Sequence, residues 1–193
     1  MPQLREMYSG EIKKLHSYMK RDFPFLERWP YFMAKRFYKN KIFNGLFLAE
    51  NSDIGYAVIS ALEDSGYALI NYFAILPEYR SKGYGSEFLK LLINHYPNHA
   101  LVLEVENPSV AKNARLRDIA EKRIIFYKNA EFHVVPGIKL KLFGTDMLIM
   151  TNAEIEHFDA RKIMHSLYQP MLKSDLLRQI VVNVTPYHPA ANQ

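Results

Sequence analysis

The residues best suited to hold a ligand lie in one stretch, Phe73-Ala74-Ile75-Leu76-Pro77-Glu78-Tyr79-Arg80-Ser81-Lys82-Gly83-Tyr84-Gly85-Ser86. An apolar strand runs into a turn there, and a helix begins at once. Gly83 and Gly85 permit close backbone approach and left-handed dihedrals, so several amides can point at one oxyanion. The helix start adds free amides and the positive end of its dipole, while Arg80 and Lys82 supply full charges. The pattern predicts a pyrophosphate cradle over Arg80, Ser81, Lys82, Gly83, Tyr84, Gly85 and Ser86. Spacing sets two other phosphate turns aside. A P-loop needs four residues between its first glycine and Gly-Lys-Ser/Thr, and a dinucleotide fingerprint needs a third small residue where this chain has Phe88. A tight turn with solvated basic side chains would use the same residues; the order of elements favours the cradle.

Groups able to move protons are few. Glu104 and Glu106 alternate with Leu103 and Val105, which puts both carboxylates on one face of a strand. They suit a general base, a solvated sheet face, or partners for Lys and Arg. Tyr127 shares a helical face with Ala120 and Ile124, so its ring is expected to point inward while its hydroxyl seeks a polar partner. The chain has no cysteine and no serine in a nucleophile elbow, so no acyl-enzyme is expected. The seven histidines, His16, His95, His99, His133, His157, His165 and His188, show no paired spacing joined to a carboxylate, and no metal site is expected.

The elements that must position these groups follow from periodicity. Gly10 to Arg21 carries Ile12, Leu15 and Met19 at helical steps after Ser9, and a second helix is expected from near Arg28, with Pro30 in its first turn, to about Asn40. Around it cluster Phe23, Phe25, Trp29, Tyr31, Phe32 and Phe37, as core or as one wall of an acceptor pocket. Phe47 to Glu50 and Ile54 to Ser60 form a hairpin across Asn51-Ser52-Asp53, and Tyr67 to Leu76 follows the turn formers Glu63-Asp64-Ser65-Gly66. Ser86 to His95 reads as a helix with Phe88, Leu91, Leu92 and His95 on one face. Ala100 to Glu106 reads as a strand, parallel to the preceding one by the strand-helix-strand rule. A helix over about Leu116 to Asn129 and strands at Phe132 to Val135 and Asp146 to Met150 complete the sheet. The fold class is α/β of the α+β kind, a mixed, mainly antiparallel sheet flanked by helices. Beyond it, residues 153–193 read as two short helices around Gln169-Pro170, with Ile163, Met164 and Leu167, then Leu176, Leu177 and Ile180, as apolar positions. Thr185 to Gln193 is expected to be a loose tail. This organisation gives a ligand-binding domain over 1–152 and an extension over 153–193 that packs on the domain or on a second subunit as a homodimer.

Bulk composition narrows the partners. With 193 residues one domain with a sizeable core is expected, and a net charge of +5 suits an anionic ligand but is too small to indicate nucleic acid. No apolar run is long enough for a membrane span, the N-terminus lacks a signal-peptide core, and cysteine is absent. A soluble cytoplasmic protein is expected.

Arg80-x-x-Gly83-x-Gly85 resembles the acetyl-coenzyme A signature, Gln/Arg-x-x-Gly-x-Gly/Ala, of the GNAT (GCN5-related N-acetyltransferase) superfamily, and the order of elements agrees over roughly residues 2–150. Phe126-Tyr127-Lys128-Asn129-Ala130-Glu131-Phe132 is similar to the family's Phe-Tyr-x-x-x-Gly-Phe. The resemblance implies a GNAT-like fold and an N-acetyltransferase that passes the acetyl group of acetyl-CoA directly to an amine. The backbone of Phe73, Ala74 and Ile75 would lie along the pantetheine arm, and Arg80 to Ser86 would wrap the pyrophosphate. Tyr127 would protonate or hydrogen-bond the departing thiolate, and an amide near Ile75 would face the thioester oxygen. An amine with a pKa of roughly 10 is mostly protonated at neutral pH, so a base is needed, and Glu104 and Glu106 are the candidates. Three positions depart from the family pattern: Tyr72 where many members carry a glutamate, Ala120 where many carry an asparagine, and Glu131 in place of glycine, which predicts a turn that closes differently. The competing expectation is a CoA-binding regulatory or interaction module that lacks efficient transfer.

Overall fold

The computed structural model describes residues 1–62 and 65–186; Glu63 and Asp64 of the predicted turn, and His188 with the rest of 187–193, lie outside them. Strands and helices form a mixed α/β fold with a mostly antiparallel sheet. The chain falls into two units, Met1–Ala61 with Leu69–Pro97, and Leu62–Ala68 with Asn98–Gln193.

In the first unit β1 (Gln3–Glu6) pairs antiparallel with β2 (Asn44–Ala49), and β2 with β3 (Asp53–Leu62). The strand β4 (Tyr67–Ile75) runs beside β3. β1 escapes prediction because four residues with only partial burial carry little alternation. The helix α1 (Ile12–Asp22) buries Ile12, Leu15 and Met19 as expected, and α2 spans Tyr31–Lys39 with Pro30 just outside it. Trp29 organises the loop between them: its ring meets Phe37 and Tyr72 edge-on at 5.1 Å each and Phe43 at 5.5 Å. The predicted aromatic cluster therefore divides. Phe23 (half-buried), Trp29 and Phe37 pack inward, whereas Phe25, Tyr31 and Phe32 are exposed. The helix α3 (Tyr84–His95) buries Phe88, Leu89 and Leu92; Leu91 is only half-buried and His95 lies at the surface, so the inward stripe is rotated from the expected one.

A charged group fixes β1 and α1 to β3. The Arg5 guanidinium reaches Glu11 at 2.8 Å and Asp53 at 2.9 Å, with Lys14 and the Tyr18 hydroxyl also on Asp53. The Arg5 guanidinium holds the Glu11 carboxyl below the usual carboxylate range.

The second unit pairs β5 (Ala100–Glu106) with β8 (Thr145–Thr151), β8 with β6 (His133–Val134) and β7 (Ile138–Leu142), and β7 with β9 (Val182–Pro186), all antiparallel. β9 corrects the reading of Thr185 and Pro186 as tail: Lys139 lies opposite Thr185 and Ile138 opposite Pro186. Two more helices, α5 (Ala160–Tyr168) and α6 (Asp175–Val181), stand where the extension was predicted to be helical. On α5 the expected Ile163, Met164 and Leu167 are buried. On α6 Leu176, Leu177 and Ile180 are exposed at 67%, 50% and 65%, and Arg178 turns inward instead. Its guanidinium is drawn there by the Leu172 carbonyl and the Asp175 carboxylate.

The helix α4 (Ala114–Lys128) begins on the Asn113 side chain, which accepts from the Leu116 amide. It ends in a Schellman motif: the Phe132 amide donates to the Tyr127 carbonyl at 3.1 Å and the Glu131 amide to that of Lys128 at 3.0 Å, with the Tyr127 and Phe132 rings 5.9 Å apart. Glu131 has φ 65°, so the turn closes in the left-handed conformation that glycine adopts without strain, rather than by a different route. Glu131→Gly is expected to raise unfolding stability by about 1 kcal/mol, read from denaturant midpoints at unchanged slope.

In β3, a Cβ added at Gly55 would stand 2.7 Å from the Ala74 carbonyl oxygen and 2.8 Å from the Ile75 side chain. Backbone cannot yield as a flexible side chain can, so Gly55→Ala is expected to cost about 1–3 kcal/mol of stability, measured by denaturant unfolding.

Candidate functional site

In the first unit β4 leads directly into the predicted turn. Phe73, Ala74 and Ile75 at its end are half-buried, and the Leu76 amide donates to the Ile54 carbonyl at 2.9 Å, tying the strand end to β3. A short 3-10 turn over Pro77–Tyr79 follows, then Ser81 at φ 60° and Gly83 at φ 85°, and α3 starts at Tyr84. The second left-handed residue is therefore Ser81; Gly85 lies inside the first turn of α3. Two left-handed residues on either side of Lys82 fold the backbone into a concave turn. The amides of Tyr84, Gly85 and Ser86 belong to the first helical turn, where a helix offers no internal acceptor. The space beside Gly83 is open, with no atom within 4 Å of a Cβ built there. This backbone fits a pyrophosphate.

The two cations of the turn are partly committed within it. The Arg80 guanidinium donates to the Ile75 carbonyl at 2.8 Å and pairs with Asp22 at 2.8 Å, and the Lys82 ammonium donates to the Glu78 carbonyl at 2.9 Å. Arg80 is still 52% exposed, while the Asp22 side chain is 4% exposed and also accepts from the Tyr56 hydroxyl at 3.1 Å. Burial, with Asp22 nearby, pushes the Tyr56 hydroxyl pKa far above its ordinary value. Asp22 thus ties the end of α1 to the turn through Arg80. Nothing in its local sequence marked it, since the pairing spans 58 positions.

Tyr72 carries no carboxylate, and its hydroxyl is engaged by backbone. Its hydroxyl accepts from the Trp29 amide at 3.0 Å and donates to the Glu27 carbonyl at 3.1 Å, which pins the loop between α1 and α2.

In the second unit the predicted proton-moving groups divide by environment. Burial pushes the Glu104 carboxyl up to about 7, against the opposing effect of the Tyr168 hydroxyl, which donates to Oε1 at 2.9 Å. Glu106 is paired with Arg123 of α4, and its Oε2 is buried without a hydrogen-bond partner. The Tyr127 ring lies against Phe126 and Phe132, and burial pushes its hydroxyl up to about 12, opposed by Arg123 and assisted by Glu106. It therefore stays protonated at neutral pH. Glu106, Arg123 and Tyr127 form one electrostatic neighbourhood. Among the described residues no three His, Asp or Glu side chains gather as metal ligands, and no helix is long and apolar enough to cross a membrane.

Residues 12–116 match the acetyltransferase (GNAT) family. Solved structures share the fold at low identity. A protein from Bacteroides thetaiotaomicron assigned to the GNAT family is 20% identical with a TM-score of 0.72, covering 86% of this chain and 96% of its own. The ribosomal-protein-S18-alanine N-acetyltransferase of Escherichia coli is 21% identical with a TM-score of 0.56, covering 78% and 92%. A spermidine N-acetyltransferase chimera from Vibrio cholerae is 16% identical with a TM-score of 0.59, covering 78% and 93%. No curated protein sequence matches the chain.

If the turn holds a pyrophosphate through its backbone, Gly83→Ala, which strains a left-handed residue without a steric clash, weakens CoA binding by about tenfold. Isothermal titration calorimetry with CoA measures this, and an unchanged affinity would remove the turn from the binding site.

Proposed function

We propose that this chain, which belongs to the acetyltransferase (GNAT) family, passes the acetyl group of acetyl-CoA directly to an amine. The observation that carries the reading is the backbone turn from Ser81 to Ser86, with left-handed Ser81 and Gly83 opening onto the first amides of α3. The backbone of Phe73 to Ile75 and the turn from Arg80 to Ser86 hold the donor, which supplies an activated thioester carbonyl. Direct attack by the amine needs no nucleophile from the protein, in keeping with a chain that has no cysteine.

Glu104 takes the proton of the incoming ammonium. Its carboxyl, pushed up to about 7 by burial, has an affinity for protons matched to neutral conditions, where general bases act best. Glu106 is occupied by Arg123 and serves the electrostatics around Tyr127. Tyr127, protonated up to about pH 12, donates to the departing thiolate. Protein N-termini and polyamines are acceptor classes to try first, since structural neighbours include a ribosomal-protein-alanine and a spermidine acetyltransferase.

A panel of spermidine, alanine-terminated peptides, lysine peptides and aromatic amines with acetyl-CoA, followed by free-thiol release, is expected to show amine-dependent turnover. CoA binding with no turnover on any amine would favour the binding module instead. The Glu104 carboxylate is the active form, so the rate should rise with pH through about 7. Glu104→Gln should lower kcat about a hundredfold or more and remove that limb. Glu106→Gln should keep the limb. Tyr127→Phe should also lower kcat, on the order of a hundredfold, with CoA affinity preserved; full turnover there would end its role as the acid.

A further inference from the structure

The extension beyond residue 152 supplies a hydrogen bond to the candidate base from outside the segment that matches the family, residues 12–116. We propose that Tyr168 is a positioning residue for Glu104, and that α5 exists in part to deliver its hydroxyl to that carboxylate. The inference rests on the assignment of Glu104 as base.

Several contacts hold Tyr168 in place. It is the last residue of α5, 7% exposed, and follows the buried Met164 and Leu167 on the inward face of the helix. Asp159 caps the start of α5 by accepting from the Lys162 amide at 3.0 Å. One turn before Tyr168, the His165 ring bonds the Val182 carbonyl of β9 at 3.1 Å. The Phe158 ring just ahead of the helix meets Tyr67 at 5.7 Å. A side chain anchored this way has little freedom to leave Glu104, and its hydroxyl holds one rotamer of the carboxylate.

No charged group among the described residues pairs with Glu104. On its own strand Glu106 is engaged by Arg123 of α4, and the residue opposite on β8 is Ile149. The carboxylate is stabilised chiefly by the Tyr168 hydroxyl, which keeps its proton affinity from rising further. Without it, burial is opposed only by a backbone hydrogen bond at Glu104, more of the carboxyl is protonated at neutral pH, and less is present as base.

The test is the titration of the Glu104 carboxyl carbon by NMR in the full chain, read beside the pH profile of kcat. In the wild-type protein the midpoint is expected near 7. Tyr168→Phe should raise that midpoint by about one pH unit, move the acidic limb of kcat with it, and lower kcat at pH 7 by about fivefold while KM for acetyl-CoA is unchanged. Fluorotyrosine at position 168, a stronger hydrogen-bond donor of nearly the same shape, should shift the midpoint the other way, and provides the test if Tyr168→Phe does not fold. An unmoved midpoint in a folded position-168 variant overturns the proposal. Full turnover in Glu104→Gln instead overturns the base assignment, so the two failures are separable.

Discussion

The chain must pass from an extended strand into a helix within a few residues while leaving the first amides of that helix unpaired, and the first unit is built around this constraint. An ordinary side-chain cap would consume those donors. Here the residue before α3 is Gly83, with no capping side chain, and the reversal is made by left-handed backbone at Ser81 and Gly83. The strand end is held from three sides: by the Leu76–Ile54 hydrogen bond, by the close approach that only glycine permits at position 55, and by Arg80 on the Ile75 carbonyl. Asp22 then anchors Arg80 from α1. The packing of α1 and β3 thus fixes the shape of a turn that makes few contacts of its own.

The second unit handles charge differently. Glu106 and Arg123 compensate each other, whereas Glu104 is left with a neutral donor. Withdrawing a carboxylate from water with no cation paired to it among the described residues costs stability, and a group relieved by one hydroxyl and a backbone hydrogen bond holds its proton more tightly. Between the ordinary carboxyl range and about pH 7, folding takes up a proton at Glu104, so this residue's contribution to stability falls as pH rises through that window. That cost and that proton affinity are what the proposed role of Glu104 as base calls for.

Much of this was legible in the sequence because it is local. The strand-turn-helix from Phe73 to Ser86, the alternation of Glu104 and Glu106, and the inward face of α4 all depend on spacings within a few residues. What was missed depends on distance or on the absence of a usual signal. Asp22 and Tyr168 reach Arg80 and Glu104 across 58 and 64 positions. Ser81 and Glu131 take the left-handed conformation without being glycine, and α6 turns Arg178 inward past three leucines and isoleucines that a helical stripe would have buried. Thr185 and Pro186 read as tail because their places in β9 depend on pairing with β7, and the strand gives an alternating pattern in only five residues.

The proposed function is direct transfer without a covalent protein intermediate, with Glu104 as base and Tyr127 as acid. Incubation with acetyl-CoA labelled in its acetyl group tests this most directly, with mass spectrometry of the protein and of an added amine. The account predicts an unlabelled protein, and label on the amine in step with CoA release. Label retained on the chain before the amine is added, or CoA released with the amine unlabelled, would contradict it.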